Sequence, residues 1–539
     1  MSPKRRMSSS SLSIRGNLGA FLHQTADRFE PFPFLRVQEK DLRVLAESIS
    51  KPFTLAVFGR MKTGKSSLIN ALVGKPLAIT GVEEATATLN WITYGDIAQQ
   101  DSVLVHWKDG RTEPVPFSKV TDWSGKEPEV LKRVKETAFL QFFARAEYLK
   151  NVQIVDTPGT GSVADEHESV AREFLSARAA EDTQLEGRNA DALLYVFPPV
   201  GRERDEESLS EFRRTRLPGS DPYNSIGVLH KWDGLESEDL MGEALKKAER
   251  LHERLSDVVC DVIPVSAPLA MVARHAPDSY LNDLLTFVNS SDTIDTVKKS
   301  LRTDRRWDDD ENRRRIRNSY PLPWVSFVRI VMLLKTAQID SLSAGRNCCL
   351  TASGMPQLEK ELDSRFFKRS ALIKQRLIRL KAKDTVQFGL LRLTNSLQNL
   401  ATDFRHFQSL ATRLPSSDPE AEWVANKAES LLREKTELED YAVKADRDWI
   451  VEEEHMRLME CDLSFLEMME KTPDSIEERD RNSIECLLKS FSLEDDRSFL
   501  PKEVLAAMLS RYNALTTSPI KKTRLHFEHL IARIQERLA

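Results

Sequence analysis

Short, almost uninterrupted apolar runs recur through the first half of the chain, each closed by glycine, proline or a charged residue. They are Phe53–Phe58, Asn151–Asp156, Ala192–Phe197, Ser225–His230 and Val259–Val265. Runs of this length without polar alternation predict strands buried on both faces, as in a parallel sheet whose crossovers are helices. Val103–Trp107 adds an extra strand, with a helix after it, before the Asp156 run. Beyond Gly354 the period changes. Leu390, Leu393, Leu397, Leu400, Phe404 and Phe407 step by threes and fours, the apolar seam of one packed helix. Pro415 ends that helix, a long one is expected from about Glu420 to Glu470, and Thr472-Pro473 and Ser518-Pro519 mark later breaks. Leu18–Phe29 and Val37–Ile49, set apart by Pro31 and Pro33, read as helices able to join the same bundle.

The first apolar run leads directly into Gly59-Arg60-Met61-Lys62-Thr63-Gly64-Lys65-Ser66, and Ser67–Leu72 is helix-forming. Strand, glycine-rich turn and helix N-terminus form a phosphate-binding P-loop in its proper setting. The glycines let backbone N–H groups close around a polyphosphate, Lys65 reaches the β- and γ-phosphates, and Ser66 is placed to ligate Mg²⁺. All residues from Gly59 to Ser67 are therefore candidate nucleotide contacts. The fold class expected is an α/β P-loop NTPase with a mostly parallel sheet, joined to an all-α bundle or stalk. Its expected divisions are a basic, serine-rich tail over 1–16, neck helices over 17–50, a nucleotide-binding domain over 51–370 and the bundle over 371–539. The nucleotide-binding domain carries insertions at about 96–149 and 268–350.

Later motifs specify the nucleotide. Thr86, with Thr88 as the second choice, supplies the hydroxyl that a switch loop needs to clasp Mg²⁺ and the γ-phosphate. Asp156 ends its strand in an Asp-Thr-Pro-Gly159 turn. There the carboxylate can hold a metal-bound water, and Gly159 leaves room for its amide to approach the γ-phosphate. Ser225–His230 runs into Lys231-Trp232-Asp233. A carboxylate at Asp233 accepts from the guanine N1–H and 2-amino group, donors that adenine lacks in this arrangement, while the Lys231 stem covers the base. Ser266 and Ala267, after the last strand, offer backbone to the guanine O6. The expected substrate is GTP, the expected cofactor Mg²⁺ and the expected reaction hydrolysis to GDP and phosphate.

Composition narrows the setting. With 539 residues, 30% charged side chains and a net charge of −5, the chain has length for two or three domains and no basic excess for nucleic acid. No DNA partner is expected, and RNA is disfavoured. Cysteines 260, 348, 349, 461 and 486 show no metal-binding spacing and read as reduced thiols of a cytoplasmic protein. No apolar stretch is long enough to span a bilayer, so any membrane contact is expected to be peripheral.

At this point the residues resemble the bacterial dynamin-like large GTPases, closest to the group that includes the isoniazid-inducible mycobacterial proteins. The similarity lies in Gly59–Gly74, in the switch from Thr80-Gly81-Val82 to Tyr94-Gly95, and in Ala352–Leu358, and covers roughly residues 45–385. It implies self-assembly through the GTPase domain, as a homodimer or higher assembly, and action at a membrane surface, with the protein peripheral at the inner membrane face. Two departures stand out. His230 occupies a position where such proteins have Asn or Thr, which braces the P-loop, and Thr160 stands where Ras-like enzymes place a water-orienting glutamine. Lys62 takes the P-loop position that faces the phosphates in that group. The expectation is that its ammonium, with Lys65 and Thr86, serves catalysis when two GTPase domains meet.

Two segments are candidates for anionic lipid, the basic amphipathic stretch Lys368–Lys383 and the apolar Leu463–Met469. Both compete with plain packing readings, a solvated face against the GTPase domain and a bundle core. The mixed-charge run Arg302–Arg317 is expected to be a solvated connector rather than a partner contact. Two other functions remain open, an Era-like switch acting on ribosomal RNA and a GTP-gated interaction protein without membrane remodelling.

Overall fold

The computed structural model describes residues 18–60, 62–75, 77, 88–96, 101–123, 128–157, 190–198, 221–232, 240–290, 293–415, 417–471, 476–489, 501–517 and 521–538. The basic tail, Met61, Thr80–Val82, Thr86, Gly159, Thr160, Asp233 and the Thr472-Pro473 and Ser518-Pro519 breaks lie outside the described residues. The chain forms two compact units. One is Pro52–Ser370; the other joins Met1–Lys51 to Ala371–Ala539.

The first unit is built on a sheet of strands β1 (Phe53–Phe58), β2 (Leu89–Tyr94), β3 (Ser102–Trp107), β4 (Thr112–Pro116), β5 (Thr137–Ala144), β6 (Val152–Asp156), β7 (Ala192–Phe197), β8 (Ser225–His230) and β9 (Val262–Val265). Their order is β4-β3-β5-β2-β6-β1-β7-β8-β9. From β6 to β9 all neighbours are parallel, while β2 runs antiparallel to β6 and parallel to β5. β1 is buried along its whole length because strands flank it on both sides. The last strand is shorter than its apolar run, since Val259–Asp261 form the turn that leads into it. Residues 96–149 hold more sheet than the one strand and helix expected. Pro114 and Pro116 hid β4, and both sit on an edge strand, where an unpaired side tolerates a missing N–H. Thr137–Ala144 follows helix α4 (Pro128–Glu136) with no turn residue between them, which concealed β5.

Helices α3 (Lys65–Val73) and α5 (Leu240–Leu255) accompany the sheet, after α1 (Leu18–Phe29) and α2 (Arg36–Ser48) of the other unit. Residues 267–352 form the helical insertion: α6 (Ala267–His275), α7 (Asp278–Ser290), α8 (Ile294–Ser300), α9 (Asp304–Asp308), α10 (Glu311–Ser319), α11 (Trp324–Thr336) and α12 (Leu342–Ala352). The charged run Arg302–Arg317 is mostly exposed, as expected of a solvated segment, but it forms two short helices rather than a plain connector. Trp307 is fully buried among Leu281, Val297 and Phe327; Thr303 caps its own helix α9 and Asp310 caps α10. Helix α13 (Met355–Glu361) closes the unit.

The second unit packs α1 and α2 against α14 (Ser370–Arg413) and α15 (Ala421–Lys471), followed by α16 (Glu478–Lys489), α17 (Lys502–Tyr512) and α18 (Lys521–Leu538). Leu22, Phe29, Leu42, Ile378, Val386, Leu393, Leu438 and Trp449 share one core. Gly389 permits it, since a β-carbon there would lie 2.7 Å from the Phe29 ring. The apolar seam is as expected to Leu393 and becomes half-exposed toward Phe407.

Both lipid candidates are largely committed to packing, although Lys368 is exposed. Arg376 and Arg379 are buried and pair with Glu460 (3.3 Å) and Glu452 (2.8 Å) of α15, Lys383 pairs with Glu453 (3.0 Å), and Lys374 donates to the Lys51 carbonyl. Part of the basic face is thus neutralised by acidic residues of α15. Leu463, Phe465, Leu466 and Met469 are buried core. Among the described residues no helix is long and apolar enough to cross a membrane.

Candidate functional site

The site lies at the C-terminal edge of the parallel strands, where an open α/β sheet places its ligand crevice. Gly59 leaves β1 with φ 158°, and a β-carbon there would lie 2.6 Å from the Val196 carbonyl of β7. Gly64, in the left-handed region at φ 95°, sits against the His230 ring at 2.5 Å from where its β-carbon would be. Both glycines are needed because neighbouring strands press directly on the loop. Lys65 opens α3 with its side chain buried. Its ammonium donates to the carbonyls of Gly59 (3.1 Å) and Arg60 (3.3 Å), drawn back across the loop it belongs to. Thr63 is buried and donates its hydroxyl to the Arg60 carbonyl at 2.8 Å. Ser67 follows Ser66 in the first turn of α3.

Register brings Asp156 beside the loop, since Val57 of β1 pairs with Asp156 of β6. The Ser66 hydroxyl donates to Asp156 Oδ2 at 2.7 Å. Asp156 Oδ1 is buried with no hydrogen-bond partner among the described residues. Burial pushes this carboxyl up to about 6, against the charge of Lys65 and the Ser66 hydrogen bond, which both lower it. Burial in turn lowers the Lys65 ammonium, which Asp156 partly restores. A half-buried hydroxyl and a buried carboxylate with an unsatisfied oxygen are a hard-oxygen donor set, and they fit Mg²⁺.

On the far side His230 joins two loops. Its Nδ1 lies 2.9 Å from the Thr63 carbonyl, so that nitrogen carries the proton, and its Nε2 accepts from the Ala267 amide at 3.4 Å. Lys231, at φ 62°, donates its ammonium to the Lys62 carbonyl at 2.7 Å. Ser266 is fully buried beside it at the start of α6. The structure therefore gathers Gly59, Arg60, Lys62–Ser67, Asp156, His230, Lys231, Ser266 and Ala267 at one edge of the sheet. Met61, Thr86, Gly159 and Asp233 lie outside the described residues. Thr88 is buried at the entry to β2 with its hydroxyl on Asn90 (3.2 Å), committed to packing rather than facing a ligand. Sequence reading missed Arg274 and Tyr148, whose side chains reach the last carbonyls of α3. Neither residue carries a local sequence signal, because each contact closes across a long stretch of chain.

Comparison with known proteins agrees with this geometry. The family model described as "Dynamin family" matches residues 55–198. The isoniazid-induced protein IniC of Mycobacterium tuberculosis is 28% identical over 274 residues, 49% of this chain and 52% of that protein. Dynamin-like protein 2 of Campylobacter jejuni is 24% identical over 273 residues, 50% of this chain and 40% of that protein. The chain thus spans about half the length, or less, of these curated relatives. A solved structure of an oligomerised bacterial dynamin pair aligns with 100% of this chain and 92% of its own at 14% identity, with a TM-score of 0.35. The matched residues 55–198 fall within the α/β unit, and there the chain is similar to the dynamin family.

Proposed function

We propose that the chain binds GTP with Mg²⁺ and hydrolyses it, that turnover accelerates when two α/β units meet across their nucleotide faces, and that the cycle acts at a membrane surface. The observation that carries the reading is the constellation of Lys65, Ser66 and Asp156 in a dynamin-family domain, with an unsatisfied buried carboxylate oxygen at its centre. Lys65 would exchange its loop carbonyls for phosphate oxygens, whose negative charge favours the ammonium form that burial disfavours. The amides at the start of α3 orient the polyphosphate. Bound Mg²⁺ would neutralise phosphate charge, held through Ser66, Thr86 and, by way of a water, Asp156. Asp233 and the Ser266–Ala267 backbone would select guanine, with the Lys231 stem over the base. Gly159 would face the γ-phosphate, and Lys62 would add charge late in the reaction. The half-exposed seam of the helical unit and the family of the α/β unit support assembly and membrane action, with anionic lipid as the surface.

The test is GTP turnover per chain against protein concentration, with ATP in parallel. A steep rise with GTP alone supports the reading. A flat profile removes the assembly step, and equal use of ATP removes the role given to Asp233.

A further inference from the structure

We infer that Arg274 and Tyr148 are positioning residues that tie the P-loop helix to the stretch through which the chain leaves the α/β unit. The inference rests on the proposed GTP binding and adds the route by which that binding is reported. The last carbonyls of a helix have no partner within it. In α3, Ala71 O accepts from Arg274 Nη1 at 2.7 Å and Leu72 O accepts from the Tyr148 hydroxyl at 3.3 Å. Burial, with Glu359 nearby, raises the Tyr148 hydroxyl well above its ordinary value, so it keeps the proton that it donates.

Each of these side chains has a second attachment, and both fall on the same stretch. Arg274 Nη2 donates to Glu359 of α13 at 2.8 Å. The Tyr148 ring stacks on Phe367, centroids 5.2 Å apart and planes 10° from parallel. Between those two anchors the helix is irregular, with a π turn over Leu362–Phe366 and a 3-10 turn over Phe367–Arg369. Such interruptions mark places where a helix changes pitch at low cost. The start of α13 is held as well. The Ser266 amide donates to the Ser353 carbonyl at 2.8 Å, and a β-carbon on Gly354 would fall 2.0 Å from the Pro264 carbonyl. The exit stretch is therefore fastened to the base side of the site through Ser266 and to the phosphate side through α3. A shift of α3 on phosphate binding or release is carried to residues 359–369, whose π turn absorbs it.

Hydrogen exchange of the amides of 362–369, in the full chain with GDP and with a non-hydrolysable GTP analogue, tests the relay. Tyr148→Phe removes the Leu72 bond while keeping the ring stack, and Glu359→Gln weakens the exit anchor while leaving Arg274 on Ala71. Both are near-isosteric, and neither residue is in the binding machinery. The unaltered chain should show a nucleotide-dependent exchange difference over 362–369. The double variant should bind the analogue normally yet lose about threefold or more of that difference. A merely structural role would change unfolding without changing the nucleotide-dependent difference. An undiminished difference in the double variant, or none in the unaltered chain when it binds the analogue, overturns the relay alone. Failure of the unaltered chain to bind the analogue overturns the functional reading, and the relay with it.

Discussion

Lys62 combines two properties that ordinary mutagenesis would confuse. Its backbone is in the left-handed region at φ 66°, which costs a residue with a β-carbon about 1 kcal/mol. Its ammonium is the charge proposed to act in turnover. Lys62→Ala keeps the strain and removes the charge, whereas Lys62→Gly removes both. Assembly-stimulated GTP turnover should fall by about tenfold or more in each, and only the glycine variant should melt higher. A wild-type rate for Lys62→Ala at high protein concentration would end the catalytic proposal. Asp156 offers a second residue-level test. Its carboxyl is raised from 3.8 to about 6 in the folded state, so between these values the folded chain holds a proton that the unfolded chain has lost. Stability from this group is present below 3.8 and is lost as pH rises to about 6. In nucleotide-free protein with chelator, Asp156→Asn should raise stability at pH 7 by on the order of 2 kcal/mol and flatten the profile between those pH values. A urea midpoint that does not rise would refute that reading of the site. The P-loop was legible because its chemistry is written in contiguous residues between a strand and a helix. The partners of His230 were not, because they depend on which loops the strand order brings together.

Among the elements, α14 shows why charge pattern alone misleads. Its basic, amphipathic residues have the look of a lipid-binding face, yet their partners Glu452, Glu453 and Glu460 lie on α15, beyond Pro415. In the buried Arg379–Glu452 pair, burial pushes the carboxyl up, but His455 and Arg379 outweigh it and hold Glu452 below its ordinary value. Its contribution is present at neutral pH and lost as pH falls through the lowered value. Arg379→Met leaves the buried Glu452 carboxylate with His455 alone as its partner and should destabilise the chain by about 3 kcal/mol. Replacing both residues by leucine should recover most of that loss. Urea unfolding of the full chain measures both variants. Equal stability of Arg379→Met and the unaltered chain would show that the pair is solvated. Both ends of α15 were legible to within about a residue and the end of α14 was marked by Pro415, whereas β4 and β5 were masked by prolines and by a helix joined to a strand without a turn.

For the whole molecule, the membrane reading now rests mainly on surfaces other than the two segments singled out by sequence, since Leu463, Phe465, Leu466 and Met469 are buried and most of the basic stretch is buried or paired. Co-sedimentation with anionic liposomes should increase with a GTP analogue, and should survive neutralisation of the exposed Lys368, which pairs with Asp363 at 2.7 Å. Binding to RNA without any to liposomes would remove the membrane reading and favour a ribosome-associated switch.

What the sequence determined by itself was the P-loop and the two architectures, α/β first and helical afterwards. Loop glycines, a strand ending in aspartate and a helical period are local, and each dictates its own geometry. The tertiary structure decided where the charges went. Arg302–Arg317 folds around Trp307, α14 spends its cations on α15, and Arg274 and Tyr148 fasten the P-loop helix to the exit of its unit. A cation's sequence neighbours do not say whether water, lipid or a distant carboxylate will meet it; only packing brings the partner within hydrogen-bonding distance.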